Sequence, residues 1–253
     1  MAAVTIEQAF EQAVAAKRRA LVPFLMSGFP TRQGFSEALK EAATLADVIE
    51  VGVPFSDPLA DGPVIQAAAA QALKQGTTLA QTLNDVAGLK APPIVLMLSI
   101  NQVLSGGAQN FASRIKAAGV AGAIVPDLPL EESGSLRSEF EAQGLTLLSM
   151  LAPTTAPQRM KTIAASAKGF LYLISSAGVT GTRETFPPET LAYVRRVKQL
   201  SRAPVCVGFG ISKPEHVKQL ADADGFIVGS ALIKAQSQGR SILEVLQPLS
   251  QAL

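Results

Sequence analysis

The chain has 253 residues, 48% hydrophobic and 17% charged, enough apolar material to bury a full core and too little charge for a disordered chain. Its 22 Lys and Arg against 20 Asp and Glu form no runs or stripes, which argues against nucleic acid as partner. The longest apolar stretches, 92–98 and 119–126, fall well short of the ~20 residues of a membrane helix, and one Cys with one His allows neither an intrachain disulfide nor a His/Cys metal site.

The N-terminus, MAAVTIEQ, lacks a basic start and an apolar signal core, so a cytoplasmic location is expected. A helical pattern opens the chain at 6–16. Eight short β-type apolar runs then follow, at 20–26, 47–53, 93–98, 120–125, 145–151, 169–174, 203–208 and 224–228. Between them lie segments of helical period, at 33–45, 63–74, 77–90, 108–118, 131–143, 156–168, 188–201, 213–221 and 231–237, with a last one at 240–252. Alternation of this kind marks βαβ units with parallel strands. Eight units in one chain of this length predict a single-domain α/β fold over residues 1–253, a (βα)8 TIM barrel with extra N-terminal and inter-strand helices. A doubly wound sheet is the competing architecture, but its glycine fingerprint is missing after the first strand, which ends SGFP at 27–30.

The glycines come late. The sixth strand runs into Gly178 and Gly181, the seventh into Gly208-Phe209-Gly210-Ile211-Ser212, and the eighth into Gly229-Ser230 before a helix. One such turn would merely punctuate a loop. Three in successive units predict backbone N–H groups converging on a phosphate, at Gly181, Gly210, Gly229 and Ser230, without a P-loop lysine. Cys206 reads as a buried structural thiol and His216 as a surface residue in the first turn of a helix.

Two carboxylates look out of place. Glu50 lies among β-formers in DVIEVGV, and if Ile49 and Val51 face the helices, Val48, Glu50 and Gly52 face the barrel interior. A buried carboxyl either finds an internal cation or has its pKa raised toward neutrality, which suits a group that gives and takes a proton. The following loop, PFSDPLADGP at 54–63, crowds three prolines and two aspartates over the mouth. Asp57 before Pro58 can be turn chemistry alone, and Asp61 or Gly62 can cap a helix beginning at Pro63, a role compatible with Asp61 reaching into the mouth.

Residues 50–63, EVGVPFSDPLADGP, together with VPDLP at 125–129, GVTG at 178–181 and GFGIS at 208–212, resemble the tryptophan synthase alpha subunit over nearly the whole chain. The resemblance implies a carbon–carbon lyase of tryptophan biosynthesis that cleaves indole-3-glycerol phosphate to indole and glyceraldehyde 3-phosphate. It implies Glu50 and Asp61 as the catalytic pair, Phe24, Tyr172 and Phe209 as pocket lining, and Thr180 in a lid over 175–188 that meets Asp61 on closure. It also implies a beta-subunit partner in an alpha2-beta2 heterotetramer, facing Pro54, Asp57, Asn101 and Pro129. Pyridoxal phosphate is expected in that partner, with no cofactor and no metal in this chain. Two departures stand out: Leu98-Ser99-Ile100 where many relatives carry a tyrosine before the asparagine, and no aspartate before Pro30. A free-standing indole-releasing lyase and a phosphate-binding barrel that only activates a partner remain the other readings.

Overall fold

The computed structural model of the chain describes residues 4–58, 61–89, 92–174, 185–208 and 210–253. The strands are β1 (Ala20–Met26), β2 (Ile49–Gly52), β3 (Ile94–Met97), β4 (Gly122–Ile124), β5 (Thr146–Leu147), β6 (Ser149–Leu151), β7 (Leu171–Ile174), β8 (Val205–Gly208) and β9 (Gly225–Val228). All pair in parallel, in the order β5-β4-β3-β2-β1-β9-β8-β7-β6. The end strands of that order, β5 and β6, are joined through the single residue Leu148, so the chain itself closes the ring into a (βα)8 TIM barrel. The expected fifth strand, 145–151, is therefore two short pieces.

The helices are α1 (Ile6–Ala15), α2 (Arg32–Ala42), α3 (Pro63–Lys74), α4 (Leu79–Val86), α5 (Ile100–Leu104), α6 (Ala108–Ala117), α7 (Gly134–Ala142), α8 (Pro157–Ser166), α9 (Pro188–Leu200), α10 (Pro214–Gln219), α11 (Ser230–Ser237) and α12 (Leu243–Ser250). A 3-10 turn, Leu130–Glu132, leads into α7. Proline at the first turn of α3, α8, α9 and α10 starts each where its missing N–H costs nothing.

Strand periodicity divides the core into two layers. Leu21, Leu25, Ile49, Val51, Leu96, Leu171 and Val207 pack outward against the helices. Val22, Phe24, Val48, Val95, Tyr172, Cys206 and Ile227 form the inner cluster. Glu50 is in register with Phe24 on one side and Val95 on the other, both inner residues, so its side chain faces the barrel interior.

Helix α1 plugs the end opposite the mouth. Thr5 and Gln8 form a capping box at its start, and its Phe10 ring lies 5.6 Å from Phe170 of the inner cluster. At the same end Asp47 accepts a forked pair of bonds from Arg18, at 2.6 and 2.7 Å, and a third from the Leu21 N–H at 2.9 Å. These bonds fix the start of β2 against β1, and so the depth at which Glu50 sits.

His216 corrects the expectation of a surface residue. It is 1% exposed, its ring stands edge-on to Phe186 at 5.4 Å, and its Nδ1 accepts the Ser212 N–H at 3.2 Å. It thereby braces the turn after β8. Cys206 is fully buried in the inner layer.

Candidate active site

One pocket at the C-terminal mouth is lined by Phe24, Glu50, Asp61, Met97 and Tyr172 on one side and by Gly210, Ser212, Gly229, Ser230 and Lys234 on the other. Each comes from the end of a barrel strand or the loop or helix that follows it. Small-molecule chemistry on this fold is built at that face.

Glu50 is 0% exposed and neither carboxylate oxygen has a hydrogen-bond partner among the described residues. An ionised carboxylate there would lose its water and gain nothing in exchange. Burial, with the nearby Asp61 charge as a second cause, pushes its pKa up to about 8. The internal salt bridge open to it on sequence grounds is not formed with any described residue. The carboxyl is accordingly neutral at neutral pH and able to donate a proton.

Asp61 is half-buried, and burial raises its pKa to about 6. Gly62, not Asp61, is the N-cap of α3. Asp61 contributes its backbone instead, its carbonyl accepting Gln66 Nε2 at 2.9 Å, so capping does not consume its carboxylate. The two acids are thus held in different charge states near pH 7, Asp61 mostly ionised and Glu50 mostly protonated, which is the division that acid–base chemistry requires.

Phe24 and Tyr172 are nearly fully buried and line this pocket. Gly52 makes room for the first of them, since a Cβ there would lie 2.6 Å from Phe24 Cζ. Both carboxylates and burial push the Tyr172 hydroxyl's pKa up, with burial the larger cause. Opposite, Gly210 turns with φ +85°, a conformation that L side chains rarely adopt, and Gly229 caps α11 with Ser230 as its first residue. The N-terminus of α11 therefore opens into the pocket, where its unpaired N–H groups favour an anion. Thr180, Gly181 and Phe209 lie outside the described residues.

Seven lining residues escape sequence reasoning, Met97, Ser212 and Lys234 among them. Met97 closes β3 on the inner face. Ser212 presents a buried hydroxyl without a partner among the described residues. Lys234, one helical turn beyond Ser230 on α11, brings a cation to the same pocket, although no P-loop lysine is present. The spacing of four from Ser230 to Lys234 was its available signal.

Pro54, Asp57 and Pro129 sit on the loops after β2 and β4, and Asn101 in the first turn of α5 after β3, three neighbouring strands of the same rim. Pro54 is buried; the other three are exposed. Ser99, at the departure from the tyrosine common in the resembling family, caps α5 and donates to Asp127 at 2.6 Å. Asp127 also accepts the Ile100 N–H at 2.9 Å, and Gln102 reaches the Pro54 carbonyl at 3.2 Å. These bonds bind the three loops to one another.

A parallel barrel with a buried acid, an ionised one and a helix N-terminus around one pocket belongs to the mouth-built (βα)8 enzymes. The family model for the tryptophan synthase alpha chain matches residues 10–249. A tryptophan synthase alpha chain of Arabidopsis thaliana is 42% identical over 252 residues, covering 97% of this chain and 92% of the relative. The tryptophan synthase subunit alpha of Legionella pneumophila superposes with TM-score 0.87 at 33% identity, covering 99% and 98% of the two chains. A chain of the tryptophan synthase complex of Pyrococcus furiosus does so with TM-score 0.83 at 34% identity, covering 91% and 97%. The chain belongs to the tryptophan synthase alpha chain family.

Proposed function

We propose that this chain is the lyase that cleaves indole-3-glycerol phosphate to indole and glyceraldehyde 3-phosphate, with Glu50 as acid and then base. The supporting observation is a fully buried Glu50 without a partner among the described residues, in one pocket with Asp61 and the N-terminus of α11. In the reaction Glu50 delivers its proton to indole C3, leaving the ring cationic. Its carboxylate then removes the proton of the side-chain hydroxyl beside the scissile bond. That oxygen's electrons form the aldehyde, and the carbon–carbon bond pair returns to the ring. Asp61 accepts a hydrogen bond from the ring N–H and stabilises the transient positive charge.

Phosphate is held by N–H groups at Gly210, Gly229 and Ser230, joined by Gly181, with Thr180 as the lid residue meeting Asp61. Phe24, Tyr172 and Phe209 pack against the indole. Pro54, Asp57, Asn101 and Pro129 face a tryptophan synthase beta subunit in an alpha2-beta2 assembly. Pyridoxal phosphate belongs to that partner. The steps above need no cofactor in this chain, and we place the reaction in the cytoplasm, as one (βα)8 domain. No helix among the described residues is long and apolar enough to cross a membrane.

The test is indole release from indole-3-glycerol phosphate, measured with and without added beta subunit. Slow release that the partner strongly accelerates is the expected result. Full activity alone would favour a free-standing lyase, and no release even with the partner would leave a barrel that only binds. Lys234→Met should raise KM about tenfold with little change in kcat, as loss of a charged phosphate contact does when the contact is equally strong in ground and transition states. An unchanged KM would remove Lys234 from the site.

A further inference from the structure

We propose a second ligand site, for a small organic anion with an apolar body, in the cavity where the barrel wall splits between β4 and β6. The break at Leu148 creates it. β4 pairs with β5 only at Gly122 and Ala123, and β6 pairs only with β7. Among the described residues Ser149–Leu151 therefore has no ladder partner on its β4 side. Above Leu148 the wall opens into a cavity of ≈ 320 Å³ roofed by α7 and α8. This volume lies at the lower end of the roughly 300–1,000 Å³ typical of small-molecule sites.

Two observations say what would fill it. Ser149 faces outward between Leu147 and Leu151, is 8% exposed, lines the cavity, and its hydroxyl has no hydrogen-bond partner among the described residues. Above it Arg137 of α7, half-buried, forms no ion pair within 4.0 Å among the described residues. Among the described residues its guanidinium makes one hydrogen bond, a 3.5 Å contact with the Leu147 carbonyl, and its charge also acts on Glu141 one turn further along α7. Elsewhere at the cavity Arg159 holds Glu131 through two bonds at 2.8 and 2.9 Å, and the Asp127 carboxylate accepts the Ser99 hydroxyl and the Ile100 N–H. Arg137 is thus the lining cation without an ion pair within 4.0 Å among the described residues, beside a hydroxyl unsatisfied among them, and the rest of the lining is largely apolar, with Leu128, Leu151 and Ile163 at hand. A carboxylate matches the fork of Arg137 and the Ser149 hydroxyl, and a flat or branched hydrocarbon matches the remainder. No described residue lines both this cavity and the pocket of Glu50, and the proposal does not draw on the reaction proposed above.

The experiment is titration of the full chain with benzoate, followed by calorimetry and by backbone amide shifts, with benzamide as the neutral control. Saturable one-site binding is expected, with shifts centred on Ser149 and Arg137, unaffected by saturating inorganic phosphate and absent with benzamide. Arg137→Met should weaken it about tenfold or more, the loss of a charge-assisted bond. Ser149→Phe, which fills the cavity, should abolish it. Should Ser149→Phe fail to fold, Arg137→Met decides alone. The proposal is overturned by no saturable binding, by equal binding of benzamide, by displacement with phosphate, or by full affinity in Arg137→Met.

Discussion

Glu50→Gln is expected to lose at least about 10²–10⁴-fold in kcat/KM for indole release, the range that a positioned general acid–base supplies, while becoming the more stable protein. Glutamine keeps the shape and can fill the same space, but it cannot deliver a proton to carbon or take one from a hydroxyl. The gain in stability follows from the same burial. The carboxyl's pKa is about 8 in the folded chain against 4.5 when exposed. Between those values the folded state holds a proton that the unfolded state has released, so folding stability falls as pH rises through this window. At pH 8 the cost is on the order of a few kcal/mol. Glutamine has no charge to bury and escapes that cost. The Tm difference between variant and parent should therefore be small below pH 4.5 and grow to roughly 5–10 °C by pH 8. Thermal melts across that range, beside the cleavage assay, check both halves. Parental turnover in Glu50→Gln would end the assignment, and a Tm gain independent of pH would end the linkage argument.

The same contrast between local and assembled information decides how much of this molecule was legible in its sequence. Strands of a parallel barrel are covered on both faces, so β1, β2, β7 and β8 stand out as apolar runs. Glu50 was conspicuous because it interrupts one of them. The helix α5 went unseen, since five residues span barely one turn and leave no period to detect. The break at Leu148 was equally hidden inside an apolar stretch, with Ser149 its one outward sign. His216 was misread because a polar residue in a short helix looks solvated. Only the tertiary packing of Phe186 against it, and the bond from Ser212, show why it is buried. Lys234 and Ser212 belong to the pocket through the approach of β8 and β9, a proximity that sequence spacing does not carry.

Asp61→Asn should lower kcat/KM by about 10²–10³-fold, the loss seen when a preorganised group stabilising transient charge is neutralised, and it should also reshape the pH profile of the residual activity. In the parent chain Asp61 must be ionised to accept the ring N–H, so kcat/KM falls as pH drops below about 6. Glu50 must be protonated to act as acid, so the rate falls again as pH rises above about 8. The result is a bell with both limbs drawn from the free enzyme. Asparagine cannot titrate, which removes the acid limb. It also removes the negative charge that helps hold Glu50 protonated, so the alkaline limb should move to lower pH rather than stay in place. A structural substitution would lower the bell without changing its shape. The deciding measurement is kcat/KM for indole release in both proteins across pH 5 to 9, a span chosen to bracket the two shifted values by about one unit each. An acid limb that persists in Asp61→Asn, or an alkaline limb that stays fixed, would show that the two carboxylates do not act on each other as the buried geometry requires.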